Sequence, residues 1–400
     1  MKKTVETDIV IVGGGIAGLW LLNRLRTLGF STILLESNTL GGEQTLKSQG
    51  IIHGGMKYAL QGAITAASQA IADMPALWMK CLSGKGEIDL SAVPVLSHEQ
   101  FLWSNNKLIG KLAGFFANQT LAGEIDKIPL EAYPEIFKNP AFKGQIYALK
   151  EIVIDVPTLI RELVKPNQDA VFRINPIIDD HLHIDETDKL TSLSVMSPFG
   201  DTVEIKANKY IFTAGAGNEL LIKKLNTKEI AMQRRPLHMV LMKTDFPYTL
   251  YAHCLGLGAT PRITITTHQT HDGKTAWYLG GQIAEEGVKR DSATQCKQAK
   301  KELSGLFPWL DFSKAQFTSF FIDRAEPQQP DGKRPDSVYI KNIQNMMIAW
   351  PTKLALAPKL TQHIIDSLAQ ENITPGDVDI RELRAWPMPS LAVPIWDELL

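Results

Sequence analysis

Three glycines near the N-terminus are spaced as in loops that bind the phosphates of a dinucleotide. Gly13, Gly15 and Gly18 follow an apolar run and precede apolar residues at helical spacing. The first glycine permits a tight turn, the second lets backbone N–H groups approach a pyrophosphate, and the third lets helix and strand pack closely. The phosphate would lie near Ile16 and Ala17, because the unpaired N–H groups of a helix N-terminus favour an anion.

The chain around these glycines has the strand–helix–strand order that the motif requires. Residues 9–12 predict a strand buried on both faces, a helix opens near Ile16 and stops at Gly29, and residues 32–35 predict a second strand. Glu36 ends that strand where a carboxylate can accept hydrogen bonds from an adenosine ribose. This acid does not separate a flavin from a pyridine dinucleotide, because both present that ribose.

Composition excludes several classes of function. The 400-residue chain has a formal net charge of −1 and no basic run with interleaved aromatic residues, so nucleic-acid binding is not expected. The three cysteines are scattered and form no CxxC, which argues against a disulfide framework or a zinc site and for a reducing compartment.

No targeting or membrane-spanning segment is predicted. The apolar run after Met-Lys-Lys is short and leads into the glycine turn, so it belongs to the fold rather than to a signal peptide. No run approaches the roughly twenty apolar residues that span a bilayer. Residues 109–123 predict an apolar-faced helix that either packs, the favoured interpretation, or touches lipid. We therefore expect a cytoplasmic protein with at most peripheral contact at the inner face of a membrane.

The order of elements predicts an α/β fold in which a Rossmann-like domain is interleaved with an α+β substrate domain built on a mainly antiparallel sheet. Asp155 reads as a helix N-cap with Pro157 in the first turn. Residues 171–211 predict a small antiparallel meander. Further expected elements are strands at 236–243, 262–267, 276–283, 315–322 and 345–349 and helices at 63–81, 158–164, 292–306 and 353–369. The predicted nucleotide domain comprises residues 1–75, 150–220 and 325–400, and the substrate domain comprises residues 76–149 and 221–324.

A second buried strand also ends in glycines. Residues 210–213 run into Ala214, Gly215 and Gly217, about two hundred residues after the first glycine turn. We interpret this as the place where the chain returns to the nucleotide, since glycines let a loop pass close to a ligand.

With these features, Gly41, Gly42 and the segment LKSQGIIHGGMKY at residues 46–58, the chain resembles the D-amino-acid-oxidase-type FAD-dependent oxidoreductases. Within that superfamily it is most similar to the FAD-dependent glycerol-3-phosphate dehydrogenases. The resemblance implies an FAD cofactor and FAD contacts from Gly13, Gly15, Ile16, Ala17, Gly18, Glu36, Ser37, Gly42, Ser48, Gln49, Gly50, Val171, Ala214, Gly215, Lys353 and Leu354.

The same resemblance places His53 near the flavin ring. There this imidazole would orient the substrate, act as a base or anchor the flavin covalently. An ordinary hydrogen-bonded structural histidine is an equally good interpretation of the residue.

The family holds a substrate carboxylate or phosphate with an arginine near the end of a strand. Arg324 is the candidate here, although its distance from the Pro330-Asp-Gly332 segment does not match the family's usual Gly-x-Arg-Pro arrangement. A two-residue offset keeps a strand side chain on the same face, so Arg324 can still reach the pocket. A guanidinium suits the task because its fork binds an oxyanion bidentately. Arg334 is the competing candidate, and an exposed salt bridge is the alternative for either.

Lys353 stands where relatives place a glycine-rich turn before a helix that faces the flavin. Pro351 and Thr352 predict the start of that helix. A lysine there would raise the flavin potential, because reduced flavin gathers negative charge. The alternative is a solvated lysine in the first turn.

The sequence therefore predicts an FAD-dependent oxidoreductase that takes a hydride from a C–H bond beside a hydroxyl or amine of a small anionic substrate. A hydroxylated substrate is the first choice and an amino acid the second, with oxygen or a quinone as the electron acceptor. A pyridine-nucleotide dehydrogenase and a non-catalytic FAD-binding protein are the alternatives.

Overall fold

The computed structural model describes residues 3–54, 71–104, 125–225, 229–256, 260–330, 332, 335–376 and 380–400. The strands in these ranges are, in chain order, β1 Lys3–Val12, β2 Thr32–Glu36, β3 Ile51–Ile52, β4 Val95–Ser97, β5 Gln100–Ser104, β6 Ile125–Lys127, β7 Gln145–Leu149, β8 Ile152–Ile154, β9 Val171–Arg173, β10 Leu182–Ile184, β11 Leu190–Met196, β12 Thr202–Phe212, β13 Met232–Thr244, β14 Ala252–Cys254, β15 Ile263–Gln269, β16 Thr275–Gly280, β17 Gln316–Pro327, β18 Tyr339–Ile343 and β19 Met346–Trp350. The α-helices are α1 Ile16–Thr27, α2 Met74–Leu82, α3 Val156–Val164, α4 Asn218–Leu225, α5 Gln282–Glu286, α6 Ser292–Leu306, α7 Ala357–Gln370 and α8 Ile395–Leu399.

The first sheet carries the glycine turn at its centre. Its order is β10-β11-β12-β1-β2-β9. β19 pairs with the carboxyl end of β12 and with β18. β1 is parallel to both β2 and β12, so the carboxyl ends of all three strands meet at one edge. The predicted α/β class with a Rossmann-like sheet is confirmed, and such an edge is where open α/β sheets bind ligands.

Both faces of β1 are buried from residue 7 to residue 12, as the apolar run at residues 9–12 predicts. Ile9 and Ile11 pack in the cluster that contains the apolar side of α1 and α7. Val10 and Val12 pack on the opposite side with residues of β11 and β12. Neither face of the strand therefore remains for solvent, which fixes the glycine turn rigidly at the end of β1.

The second sheet is mainly antiparallel, with the order β17-β13-β16-β15-β14-β5-β7-β6. One face packs against α6, whose Ala299 and Leu303 join a buried cluster with Trp277 and Val240. The pairing register places Arg324, Met239, Tyr278 and Thr264 on the other face. A small third sheet joins β3, β8 and β4.

Two element predictions need correction. β9 pairs in parallel with β2 and thus belongs to the first sheet, whereas only β10, β11 and the start of β12 form the expected antiparallel meander. The C-terminal helix begins at Ala357 instead of Lys353, after a 3₁₀ turn at Leu354–Leu356. Thr352 has a φ of 60°, a left-handed conformation that prevents a helix from starting there.

Several predictions are confirmed or remain open. α6 has the predicted bounds, and Asp155 caps α3 by accepting a hydrogen bond from the Thr158 backbone nitrogen at 2.9 Å. The first sheet draws its strands from residues 3–36, 171–212 and 339–350, and the second from residues 100–149 and 232–327. The exact domain limits stay a prediction. Residues 109–123 and most of the helix expected at 63–81 lie outside the described ranges. Within those ranges, no helix is long and apolar enough to cross a membrane.

Candidate active site

A cavity of about 870 Å³ lies at the carboxyl edge of the first sheet and reaches the second sheet. Its wall contains most of the site residues predicted from the sequence. Those that line it are Gly13, Gly15, Ile16, Ala17, Glu36, Ser37, Gly42, Ser48, Gln49, Ala214, Gly215, Arg324, Lys353 and Leu354.

The glycine turn fits closely against the second glycine-ended strand. Gly13 has a φ of 112°, and a Cβ there would lie 2.7 Å from the Ala214 Cα. A Cβ on Gly18 would lie 2.0 Å from the Gly13 backbone oxygen, so α1 can approach β1 only because residue 18 has no side chain. Gly18 packs against the glycine turn and does not itself line the cavity.

The N-terminus of α1 lies at the cavity wall, and a threonine side chain accepts a hydrogen bond from one of its backbone N–H groups. No side chain of the Gly15 N-cap residue can cap this helix, and its first turn holds no acidic residue. Thr45 Oγ1 accepts a hydrogen bond from the Ile16 backbone nitrogen at 3.1 Å. An anion at this end would accept hydrogen bonds from backbone N–H groups of the first helical turn and interact favourably with the helix dipole.

Glu36 is held in place by backbone donors. Its two carboxylate oxygens accept hydrogen bonds from the backbone nitrogens of Gly14 at 2.6 Å and Asn38 at 2.7 Å. Each oxygen keeps a second lone pair, so the carboxylate can still accept from ribose hydroxyls. Its position at the end of β2 matches the sequence-based expectation.

The loop after Gly42 is anchored to the second sheet. The Gln49 side-chain nitrogen donates to the backbone oxygens of Tyr278 at 2.9 Å and Thr264 at 3.3 Å. The Tyr278 hydroxyl donates to the Lys47 backbone oxygen at 2.6 Å, and burial raises the pKa of this phenol far above its ordinary range. Ser48 Oγ is buried at the cavity wall and has no hydrogen-bond partner among the described residues.

Lys353 is a buried residue of the cavity wall. The residue is 6% exposed, and its Nζ donates a hydrogen bond of 3.4 Å to the Asp336 backbone oxygen. The loop that carries it is fixed by a hydrogen bond of 3.1 Å from Trp350 Nε1 to the Gly215 backbone oxygen. The interpretation of Lys353 as a solvated residue in a first helical turn is therefore wrong: it precedes the 3₁₀ turn and faces the cavity.

Arg324 lies on β17, on the face of the second sheet that borders the cavity. Its Nε donates to the Arg235 backbone oxygen at 3.2 Å, which orients the guanidinium. Arg235 itself is engaged by the buried Glu326 carboxylate. The offset of two residues thus keeps Arg324 at the cavity wall, as the strand periodicity predicts. Its competitor Arg334 lies outside the described ranges.

His53 does not line the cavity. Its Nδ1 lies 2.9 Å from Glu151 Oε2, and the Glu151 carboxylate also accepts from the Gly54 backbone nitrogen at 3.1 Å. His253 Nε2 lies 4.0 Å from the same carboxylate oxygen. We call His53, Glu151 and His253 the His–Glu–His cluster. The residues that follow Gly54 in the IHGGMKY segment lie outside the described ranges.

Gly50 and Val171, two further predicted cofactor contacts, do not line the cavity. Gly50 has a φ of 68° and packs against the Ile154 backbone oxygen, which a Cβ would approach to 2.4 Å. Val171 is buried in the core beside Leu34. Neither lines the cavity; on the Val171 side the wall consists of Ile174, Pro176 and Ile177.

Comparison with known proteins decides the family. The sequence profile of the family "FAD dependent oxidoreductase" matches residues 8–320. The chain belongs to this family. The probable FAD-dependent oxidoreductase PA4991 of Pseudomonas aeruginosa is 47% identical over 401 residues, which cover 99% of both chains. Its crystal structure covers 100% of this chain and 99% of its own, with a TM-score of 0.84.

The names of more distantly similar proteins indicate different substrates. The α-glycerophosphate oxidase of Streptococcus pneumoniae is 25% identical over 256 residues, and the match covers 61% of this chain and 42% of that enzyme. The crystal structure of glycine oxidase from Geobacillus kaustophilus has a TM-score of 0.64 at 15% identity and covers 98% of this chain and 100% of its own. The latter likeness shows the fold alone.

The cavity fits the family's cofactor, FAD. The glycine turn leaves room for a ligand beside the N-terminus of α1, and the Glu36 carboxylate can accept hydrogen bonds from a ribose. The buried Ser48 hydroxyl lies at the cavity wall and has no hydrogen-bond partner among the described residues. Such buried polar atoms are satisfied in folded proteins, so a ligand that bonds Ser48 accounts for it.

Sequence reasoning missed several residues around the cavity. Thr45 and Trp350 hold the two loops that enclose it, and Glu151 and His253 surround His53. Glu151 carries a signal in hindsight, because it is an acid between two apolar β runs. Thr45, Trp350 and His253 carry none, since their roles depend on contacts between distant segments.

Proposed function

We propose that this FAD-dependent oxidoreductase oxidises a C–H bond beside a hydroxyl or amine of a small anionic substrate. The observation that supports it most is the placement of two cations, Arg324 and Lys353, in the wall of the cofactor cavity. A hydroxylated anion is the first choice of substrate and an amino acid the second. Bound FAD would supply the hydride acceptor.

Arg324 would hold the substrate's anionic group. Its guanidinium is partly buried and oriented by the Arg235 backbone oxygen, so little side-chain entropy is lost when it binds a carboxylate or phosphate. Fixing that group at one end of the substrate sets the distance of the reacting carbon from the cofactor.

Lys353 would supply positive charge close to the cofactor. Because the ammonium is buried, its field is screened less than that of a surface lysine. A positive charge in this wall stabilises negative charge that develops on the cofactor side of the cavity during oxidation. The left-handed Thr352 turns the chain so that Lys353 precedes the 3₁₀ turn in extended conformation.

Arg234 and Lys47, which also line the cavity, form ion pairs with neighbouring carboxylates. Arg234 lines the cavity but pairs with Glu219 at 2.8 Å and Asp323 at 3.3 Å. Lys47 lies 3.4 Å from Glu43. Arg324 and Lys353 are the candidates for an anionic substrate because of their positions in the cavity wall. The predicted role of His53 as a base stays a prediction, because its ring lies outside the cavity wall.

The names of the relatives support both substrate classes, since they include an α-glycerophosphate oxidase and a glycine oxidase. The electron acceptor would be oxygen or a quinone. Family membership argues against the pyridine-nucleotide alternative.

An anaerobic screen tests the proposal and separates the two substrate classes. Purified protein with bound FAD is mixed with glycerol 3-phosphate, a series of small 2-hydroxy acids and a series of amino acids, and the flavin absorbance is followed. We expect bleaching by members of one anionic class. Full bleaching by dithionite but by none of these compounds would reject the proposal.

A further inference from the structure

The His–Glu–His cluster lies beside the cofactor cavity and is not used by the proposed function. His53 follows β3, Glu151 lies between β7 and β8, and His253 lies in β14. The Glu151 side chain is fully buried, that of His253 is 1% exposed and that of His53 is 14% exposed.

We propose that these three side chains bind a divalent transition-metal ion of the Zn²⁺ type. Their ligand atoms, one from each residue, all lie within 4.8 Å of one another. Two imidazole nitrogens and one carboxylate oxygen favour such an ion over Mg²⁺ or Ca²⁺, which prefer oxygen ligands.

The spacing of the ligands suits a metal after small adjustments. Metal–ligand distances of about 2.0–2.2 Å in a tetrahedron separate ligand atoms by about 3.3–3.6 Å. The separations of 2.9 Å between His53 Nδ1 and Glu151 Oε2, and 4.0 Å between His253 Nε2 and that oxygen, lie on either side of this range. The two imidazole rings are nearly parallel, with centroids 6.2 Å apart.

Outer partners already orient two of the ligands. His253 Nδ1 lies 2.8 Å from Thr264 Oγ1, which leaves Nε2 directed to the cluster. The second Glu151 oxygen accepts from the Gly54 backbone nitrogen. Partners of this kind are a regular feature of metal sites, where they fix the tautomer of a histidine and the rotation of a carboxylate.

The position of the site indicates a structural role. His253 belongs to the second sheet, His53 follows β3 of the third sheet, and Glu151 lies between β7 of the second sheet and β8 of the third. Thr264, which orients His253, also accepts a hydrogen bond from Gln49 in the cavity wall. A bound ion would therefore fasten the loop that carries Ser48 and Gln49 to the second sheet. This inference does not depend on the substrate class proposed above.

Calorimetric titration with Zn²⁺ tests the proposal without any substrate. Untagged protein with bound FAD is stripped with a chelator, dialysed and titrated with Zn²⁺; melting temperatures are recorded with and without the ion. We expect one Zn²⁺ per chain and a higher melting temperature with Zn²⁺. Loss of an outer partner weakens metal binding about 10- to 100-fold, so loss of a ligand in Glu151→Gln or His253→Gln should weaken it at least about 100-fold.

Two further variants keep the test decisive even if a ligand variant fails to fold. Thr264→Val removes only the outer partner of His253 and should weaken Zn²⁺ binding about 10-fold. His238→Gln is the matched control, because His238 is equally buried but bonds Gly287 and Ser319 away from the cluster. It should leave Zn²⁺ binding unchanged. Wild-type protein that binds no Zn²⁺, or binds it as tightly in Thr264→Val and the ligand variants, would overturn the proposal.

Discussion

The Gln49 side-chain amide donates a hydrogen bond of 2.9 Å to the backbone oxygen of Tyr278. This contact joins the loop after Gly42 to the second sheet. A Cβ on Gly280 would lie 2.7 Å from Gln49 Oε1, so the sheet makes room for this side chain only because residue 280 is glycine. The cavity thus has one wall from each sheet, and its shape depends on this connection.

Gln49→Leu should weaken that connection. Loss of a partly buried donor costs about 1–2 kcal/mol of stability, and we expect the variant to retain less FAD after gel filtration. The melting temperature and the ratio of FAD to protein measure the effect. Gln362→Leu, on the exposed side of α7, is the control. Equal FAD retention in the two variants would contradict the role of Gln49.

Gly13→Ala should abolish FAD binding or unfold the first sheet locally. The new Cβ would lie 2.7 Å from the Ala214 Cα, in a backbone conformation that only glycine adopts easily. Gly305→Ala is the matched control, because no atom lies within 4 Å of its Cβ position near the end of α6. That change should stabilise the helix by up to about 1 kcal/mol. Normal FAD content in Gly13→Ala would show that the turn does not approach the cofactor.

Arg324→Met should raise the KM of an anionic substrate about 10- to 100-fold, because a hydrogen bond to a charged group contributes about 1.5–3 kcal/mol. Steady-state kinetics with the substrate from the anaerobic screen measure this change. Arg334→Met tests the competing arginine in the same assay. An effect confined to Arg334→Met would transfer the role from Arg324 to Arg334.

Lys353→Met should lower the reduction potential of the bound flavin by some tens of millivolts, since about 30 mV corresponds to 1.4 kcal/mol in a two-electron couple. Equilibration with dyes of known potential measures the shift. Lys165→Met, an exposed lysine at the end of α3, should leave the potential unchanged. The same potential in wild type and Lys353→Met would reject the electrostatic role.

His268 should make stability depend on pH. Burial lowers the pKa of this imidazole from the ordinary value of 6.5 to about 3, and its ring stacks on Trp396 at a centroid distance of 3.9 Å. Between these two pKa values the unfolded chain binds a proton that the folded chain does not. The contribution of His268 is therefore fully present above pH 6.5 and is lost progressively as the pH falls toward 3.

Denaturation in urea between pH 7 and pH 4 measures this dependence. His268 should contribute a slope of up to about 1.4 kcal/mol per pH unit to the free energy of unfolding. His268→Gln should flatten the profile, whereas His271→Gln should not, because His271 is mostly exposed. Parallel profiles for wild type and His268→Gln would show that His268 does not titrate in this way.

The sequence predicted the local parts of the fold well. The glycine turn, α1, α3 and α6 follow from capping residues and apolar periodicity within short windows. β9 was misassigned because an apolar run of three residues does not reveal whether its partner is a neighbouring strand or the distant β2. The start of α7 was misplaced because the left-handed Thr352 is imposed by its surroundings, including its hydrogen bond to the Ser337 backbone oxygen.

The site was predictable where one segment supplies it and unpredictable where distant segments meet. Glu36 and the glycines stand within one βαβ unit, so their joint placement follows from the motif. His53 was expected near the flavin ring, yet its contacts with Glu151 and His253 join residues about one and two hundred positions away. No periodicity in the sequence encodes such a meeting.

The charge dependence of flavin reduction tests the central proposal most directly. Anaerobic rapid mixing compares each bleaching anion with a neutral analogue of the same carbon skeleton, such as glycerol 3-phosphate with glycerol, in wild type and Arg324→Met. We expect fast bleaching by the anion, little by the neutral analogue, and a reduced preference for the anion in Arg324→Met. Equal bleaching by both compounds in wild type, or an unchanged preference in Arg324→Met, would contradict it.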